Sequence, residues 1–120
     1  MKIKIVLAIL AMGGLSSFSN YESIAEEYSF IKQIKPSEGE ALIKKEDCAT
    51  CHKIDKKVVG PSYLDIAKKY PMNDKNVKYL TEKITKGGSG VWGAIPMSAH
   101  TALKKDDAKK IAIYILSLKK

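Results

Sequence analysis

Apolar residues recur at helical intervals along this chain, and the recurrences are bounded by residues that start or stop helices. From about Lys104 onward, Ala108, Ile111, Ala112, Ile115 and Leu116 fall at i, i+3, i+4, i+7 and i+8, a stripe that must pack against something. Upstream, Val77, Leu80 and Ile84 form a second stripe, which Asn73 or Asp74 can cap and Gly87-Gly88 stops. A short helix is expected from Ser62 to Lys69, after the Gly60-Pro61 turn and ended by Tyr70-Pro71. Ser37-Glu38-Gly39-Glu40 has the capping-box pattern, so a helix with Ser37 as cap should run from about Glu38 to about Asp47 and carry Ala41, Leu42 and Ile43 toward a core. Gly39 costs stability there relative to Ala, and marks a place where another helix passes closely. Between Asn20 and Pro36, Tyr21, Ile24, Tyr28, Ile31 and Ile34 also recur helically, and either an amphipathic helix or a spacer fits.

One segment breaks the periodicity. Gly87 to Met97, GGSGVWGAIPM, is a glycine-rich loop too apolar to face only water. No alternating strand pattern and no internal repeat appears. The start is different again: Met1-Lys2-Ile3-Lys4 is basic and runs into the apolar Ile5 to Met12, with Ser17 and Ser19 framing a cleavage position. This is the layout of a secretory signal peptide over residues 1–19, and the run falls short of the roughly 20 apolar residues a spanning helix needs. The expected organisation is therefore a signal at 1–19, an extension at 20–36 and one domain at 37–120.

Composition adds little to this picture. The net charge of +8 comes from 21 basic residues, all of them Lys. Such a surplus suits a solvated surface, and no nucleic-acid motif accompanies it. Lys53, Lys56 and Lys57 form a local basic cluster that can steer an acidic partner.

The chemistry is concentrated in Cys48-Ala49-Thr50-Cys51-His52, which reads as a covalent haem attachment site. Two thiols at this spacing can each add to one vinyl group of the same porphyrin, and the next residue offers an imidazole to the iron. A thioredoxin-like site would need a βαβ context that the pattern does not offer. Zinc would need four ligands, and only Cys48, Cys51, His52 and His100 are present as Cys or His. A plain disulfide leaves His52 unexplained. If haem is bound, the second axial position decides between electron transfer and small-ligand chemistry. Met97, held in the loop by Ile95-Pro96, is the favoured ligand, with His100 three residues later as the alternative and Met72 and Met12 less well placed.

Several separated pieces of the chain now form a pattern: Gly39 and Leu42 before the Cys-x-x-Cys-His motif, Gly60-Pro61, Lys83-Ile84, the loop from Gly87 to Met97, and Ile113-Tyr114-Ile115-Leu116-Ser117-Leu118. In these it resembles the small bacterial class I cytochromes c, the short-chain monohaem type, from about Ser37 to Lys120. The resemblance implies an all-α fold of about four to five helices around one haem c, with the first and last helices crossing near Gly39, Leu42, Tyr114 and Ile115. It implies thioether links at Cys48 and Cys51 and axial ligation of iron by His52 and Met97. It further implies a hydrogen bond from the His52 ring to the Pro61 carbonyl, and one from the Trp92 indole to a haem propionate. Ser98-Ala99-His100 departs from the prolines that often follow this methionine in the family.

The expected function is that of a periplasmic one-electron carrier, not an enzyme, shuttling electrons between larger redox proteins as donor and acceptor. It should act as a monomer without stable membrane insertion once the signal is removed. The enzymatic rival, a haem peroxidase or ligand sensor, would need an open iron site with polar groups, for which His100 is the conspicuous candidate. A non-haem exported binding module is the third reading.

Overall fold

The computed structural model describes residues 25–26 and 29–119. The expected signal segment, together with Tyr21, Ile24 and Tyr28 of the extension, lies outside the described residues. A helical stretch at 29–33 is followed by α1 (Pro36–Lys45), a 3-10 turn (Asp47–Thr50), α2 (Tyr63–Lys69), α3 (Asp74–Lys86) and α4 (Lys105–Ser117). Among the described residues there is no sheet, only isolated bridges pairing His52 with Lys57 and Gly88 with Met97.

The last helix is the hub. Every residue from Ile111 to Leu116 is buried, and α1, α2 and α3 all pack on α4. The stripe read from the sequence supplies Ile111 and Ile115, while Ile113 and Tyr114 bury the remaining faces, so α4 is covered nearly all round. Val77, Leu80 and Ile84 of α3 and Ile43 of α1 complete this core, joined by Ile34 from the segment before α1. Ile31 packs against the same cluster, and Lys109 Nζ lies 4.8 Å from the Phe30 ring centroid.

The start of α1 differs from the capping-box expectation. Lys35 is the N-cap and Pro36 the first helical residue, with no side chain capping the end. Proline fits there because its φ is already helical and it has no N–H to leave unpaired. Ser37 therefore sits inside the first turn, and Glu40 reaches forward to Lys44 at 2.8 Å instead of back to a cap. Ala41 is exposed, Leu42 half-buried and Ile43 buried. Three successive positions sweep about 200° of helix and cannot all face one core. The helix also stops at Lys45, because Glu46 is extended and the chain tightens into the 3-10 turn.

The other caps follow the sequence more closely. Ser62 Oγ accepts the Asp65 N–H at 3.0 Å, and Asn73 Oδ1 accepts the Asn76 N–H at 2.8 Å. Gly87 closes α3 at φ +69°, a conformation L side chains rarely adopt. Gly39 is buried where α1 crosses α4: a Cβ there would collide with the Lys110 carbonyl oxygen and lie 2.6 Å from Tyr114 Cβ.

Candidate haem site

Between α1 and α2 the chain carries its thiols on one tight turn. The N–H groups of Cys51 and His52 both donate to the Cys48 carbonyl, at 3.2 and 3.0 Å, which wraps the Cys-x-x-Cys-His segment into a tight turn whose Cys48, Cys51 and His52 line one cavity. Cys48 and Cys51 are free thiols, both partly buried. Burial pushes the Cys48 thiol above its ordinary value, with smaller contributions from Asp47 and Glu46, so it stays protonated at neutral pH.

His52 is fixed from two sides. Its Nδ1 lies 2.7 Å from the Pro61 carbonyl oxygen. A carbonyl can only accept, so Nδ1 carries the proton and the neutral ring keeps its lone pair on Nε2. Tyr63 stacks on the imidazole with centroids 5.5 Å apart and planes 21° from parallel. Gly60 leaves room for the ring: a Cβ on Gly60 would stand 2.9 Å from His52 Nδ1.

The glycine-rich loop reaches the same place from the end of α3. Met97 and Gly88 exchange backbone hydrogen bonds of 2.8 and 3.1 Å, and the His100 N–H donates to the Ile84 carbonyl at 3.1 Å. Trp92 in this loop carries Lys69 Nζ 5.3 Å from its ring centroid.

Cys48, Cys51, His52, Pro61, Trp92 and Met97 all line one cavity of about 380 Å³. Its floor comes from Ile66 of α2, Leu80 and Ile84 of α3, and Ile111 and Ile115 of α4. The elements chosen by hydrophobic period thus build an apolar chamber, and the irregular segments bring thiol, imidazole and thioether to it. That donor set and volume fit a haem, since cofactor sites run from roughly 300 to 1,000 Å³. Two buried polar atoms of the lining, Tyr63 Oη and His100 Nδ1, have no hydrogen-bond partner in the protein, which suits an occupant with polar groups of its own. Burial also raises the Tyr63 phenol well above its usual range.

Sequence reasoning missed three participants. Tyr63 looked like the first apolar residue of a helix, and Gly60 looked only like part of a turn. Asp47, whose carboxylate lies 2.8 Å from His100 Nε2, is 53 positions from its partner and offered no local cue.

Comparison with known proteins agrees with this geometry. Residues 36–119 match the family model described as Cytochrome c. Cytochrome c-552 of Nitrosomonas europaea is 49% identical over 78 residues, covering 65% of this chain and 76% of that protein. Cytochrome c-551 of Pseudomonas denitrificans is 42% identical over 83 residues, covering 69% of this chain and 100% of that one. The crystal structure of wild-type Nitrosomonas europaea cytochrome c552 is similar in fold, with a TM-score of 0.63 at 48% identity over 67% of this chain and 99% of that one. Among the described residues, no helix is long and apolar enough to cross a membrane. The chain belongs to the cytochrome c family, close to the bacterial cytochromes c-551 and c-552: a monohaem electron carrier, not an enzyme, whose haem c is joined covalently through the Cys-x-x-Cys-His motif.

Proposed function

We propose that this cytochrome carries single electrons between larger redox proteins in the periplasm, with thioether links at Cys48 and Cys51 and axial ligation by His52 and Met97. The observation that carries the reading is the His52–Pro61 hydrogen bond, which commits Nδ1 to the protein and leaves Nε2 as the basic nitrogen of a cavity-lining ring. Such an outer hydrogen bond fixes the tautomer and orientation of a ligand and raises its basicity. Bound haem supplies a one-electron ferric/ferrous couple, whose potential a methionine ligand raises.

The protein's own part is to hold, shield and present that couple. Tyr63 stacks on the imidazole ring, and the absence of a side chain at Gly60 leaves it room. Ile66, Leu80, Ile84, Ile111 and Ile115 keep water from the chamber. Trp92, at the cavity edge, is the residue to donate its indole hydrogen to a propionate. Val58 and Val59 are exposed, and Val59 and Lys57 line the cavity. With the exposed Lys53 and Lys56 nearby in sequence, they supply apolar and cationic groups suited to a small transient interface with an acidic partner. Export rests on the basic-then-apolar start, with residues 1–19 removed, residues 20–36 as an extension and 37–120 as the monomeric electron-transfer domain.

The test is the visible spectrum of the matured protein. The oxidised parent should show the weak long-wavelength charge-transfer band of methionine-ligated ferric haem, and Met97→Ala should abolish it while leaving haem attached. A parent without the band, or a reduced parent that binds carbon monoxide rapidly, would overturn the ligation and with it the carrier reading.

A further inference from the structure

We propose that Asp47 and His100 form a clasp that fixes the Met97 loop to the turn carrying Cys48, making both of them positioning residues for the electron-transfer site. The inference rests on the reading of Met97 as a ligand. His100 Nε2 and Asp47 Oδ1 are 2.8 Å apart, and the bond joins segments 53 positions apart in sequence. Both residues line the cavity, so the clasp closes part of its wall.

The loop needs such a fastening. On its N-terminal side Met97 is held by the backbone exchange with Gly88. Toward the C-terminus, Ser98 and Ala99 are exposed, and His100 is the next point at which the chain is tied down. There the His100 N–H donates to Ile84, and the Leu103 N–H donates to the His100 carbonyl. These bonds fix the loop to α3 and to its own following turn, and the His100 side chain adds a tie to the thiol-bearing turn. Its exposure is unequal: 18% for the imidazole against 80% for the Asp47 side chain. The histidine is the seated half, and the carboxylate is the hook that reaches it from the surface. A hydrogen bond to an ionised carboxylate is stronger than a neutral one, and at this depth it is shielded on one side only. The bond engages Nε2 alone and leaves Nδ1, buried and unpartnered, as the ring's free nitrogen.

Clasp and ligand can be separated by measuring how fast Met97 is displaced. In the oxidised, haem-loaded parent, decay of the charge-transfer band is followed after adding excess imidazole. Asp47→Ala and His100→Ala should each accelerate displacement about tenfold. The double variant should be no faster than either single one, because the two changes remove the same bond. His100→Gln, which retains an N–H donor, should return the rate to within about threefold of the parent, while guanidine midpoints of the variants stay close together. Rates within twofold of the parent, or additive effects in the double variant, would overturn the clasp. So would a band lost in Asp47→Ala and regained when His100 is also removed, since His100 would then be a competing ligand. A parent that lacks the band is a separate failure, that of Met97 ligation itself.

Discussion

Replacing Gly39 with alanine tests the crossing on which the fold depends. The added Cβ would lie 2.6 Å from Tyr114 Cβ and closer still to the Lys110 carbonyl oxygen. Carbon atoms in contact prefer about 3.5–4.0 Å, so α1 and α4 would have to separate by about 1 Å. The obstruction includes α4 backbone, which no rotamer change relieves. Overpacking of this kind typically costs about 1–3 kcal/mol, and a backbone obstacle argues for the upper end. Alanine returns about 1 kcal/mol of helix propensity. The net loss is about 2 kcal/mol, equivalent to a fall of roughly 8–16 °C in Tm for a domain of this size. Thermal unfolding of the haem-loaded protein followed by far-ultraviolet circular dichroism would measure it. Ser37→Ala, exposed two residues earlier in the same helix, is the control and should change stability by no more than about 0.5 kcal/mol. A Gly39→Ala protein melting at or above the parent would refute the reasoning, because propensity would then outweigh the contact.

Two smaller effects follow from the same packing. Asn73→Ala removes the side-chain cap of α3 and should cost about 1 kcal/mol in guanidine unfolding, with Asn73→Ser recovering most of it. The second concerns the Glu38–Lys110 pair, 2.9 Å apart across the α1–α4 crossing. Its hydrogen bond and charge hold the Glu38 carboxyl below its ordinary value and the Lys110 ammonium above its own. The glutamate contribution is present above the ordinary carboxylate range and is lost as pH falls through the lowered folded value. The lysine contribution is present below the ordinary lysine value and is lost as pH rises through the raised one. The stability difference between the parent and Glu38→Gln should therefore be largest between about pH 5 and pH 10 and shrink on both sides. A difference independent of pH would show that the pair is not ionically linked.

The sequence made the elements with strong periods legible: α3 buries one stripe because its other face meets solvent, and in α4 the stripe is part of a surface buried nearly all round. Asn73 was readable because a cap needs only a short side chain at a local position, whereas Ser62, expected as the first residue of its helix, turned out to cap it. Ser37 misled because it matched a local pattern too, and Pro36, one position earlier, fitted the helix start better. Ala41 misled for a geometric reason: a run of apolar residues in a helix divides among faces. In the site, Cys48, Cys51 and His52 were visible because their chemistry depends on spacing along the chain. Met97 stood out as the candidate second ligand once a haem motif had been read. Tyr63 and the Asp47–His100 bond were not visible, since ring stacking and a contact over 53 positions are properties of the assembled fold.

The burial of α4 also constrains how the molecule can come into being. This helix follows in the chain all the helices that pack on it, and a nascent chain ending before Lys105 has apolar faces on α1 and α3 with no common surface to meet on. Such a chain cannot close its chamber early. Ile111 and Ile115 of α4 line the cavity that Cys48 and Cys51 also line, so the pocket for the prosthetic group is complete only once the last helix has been made.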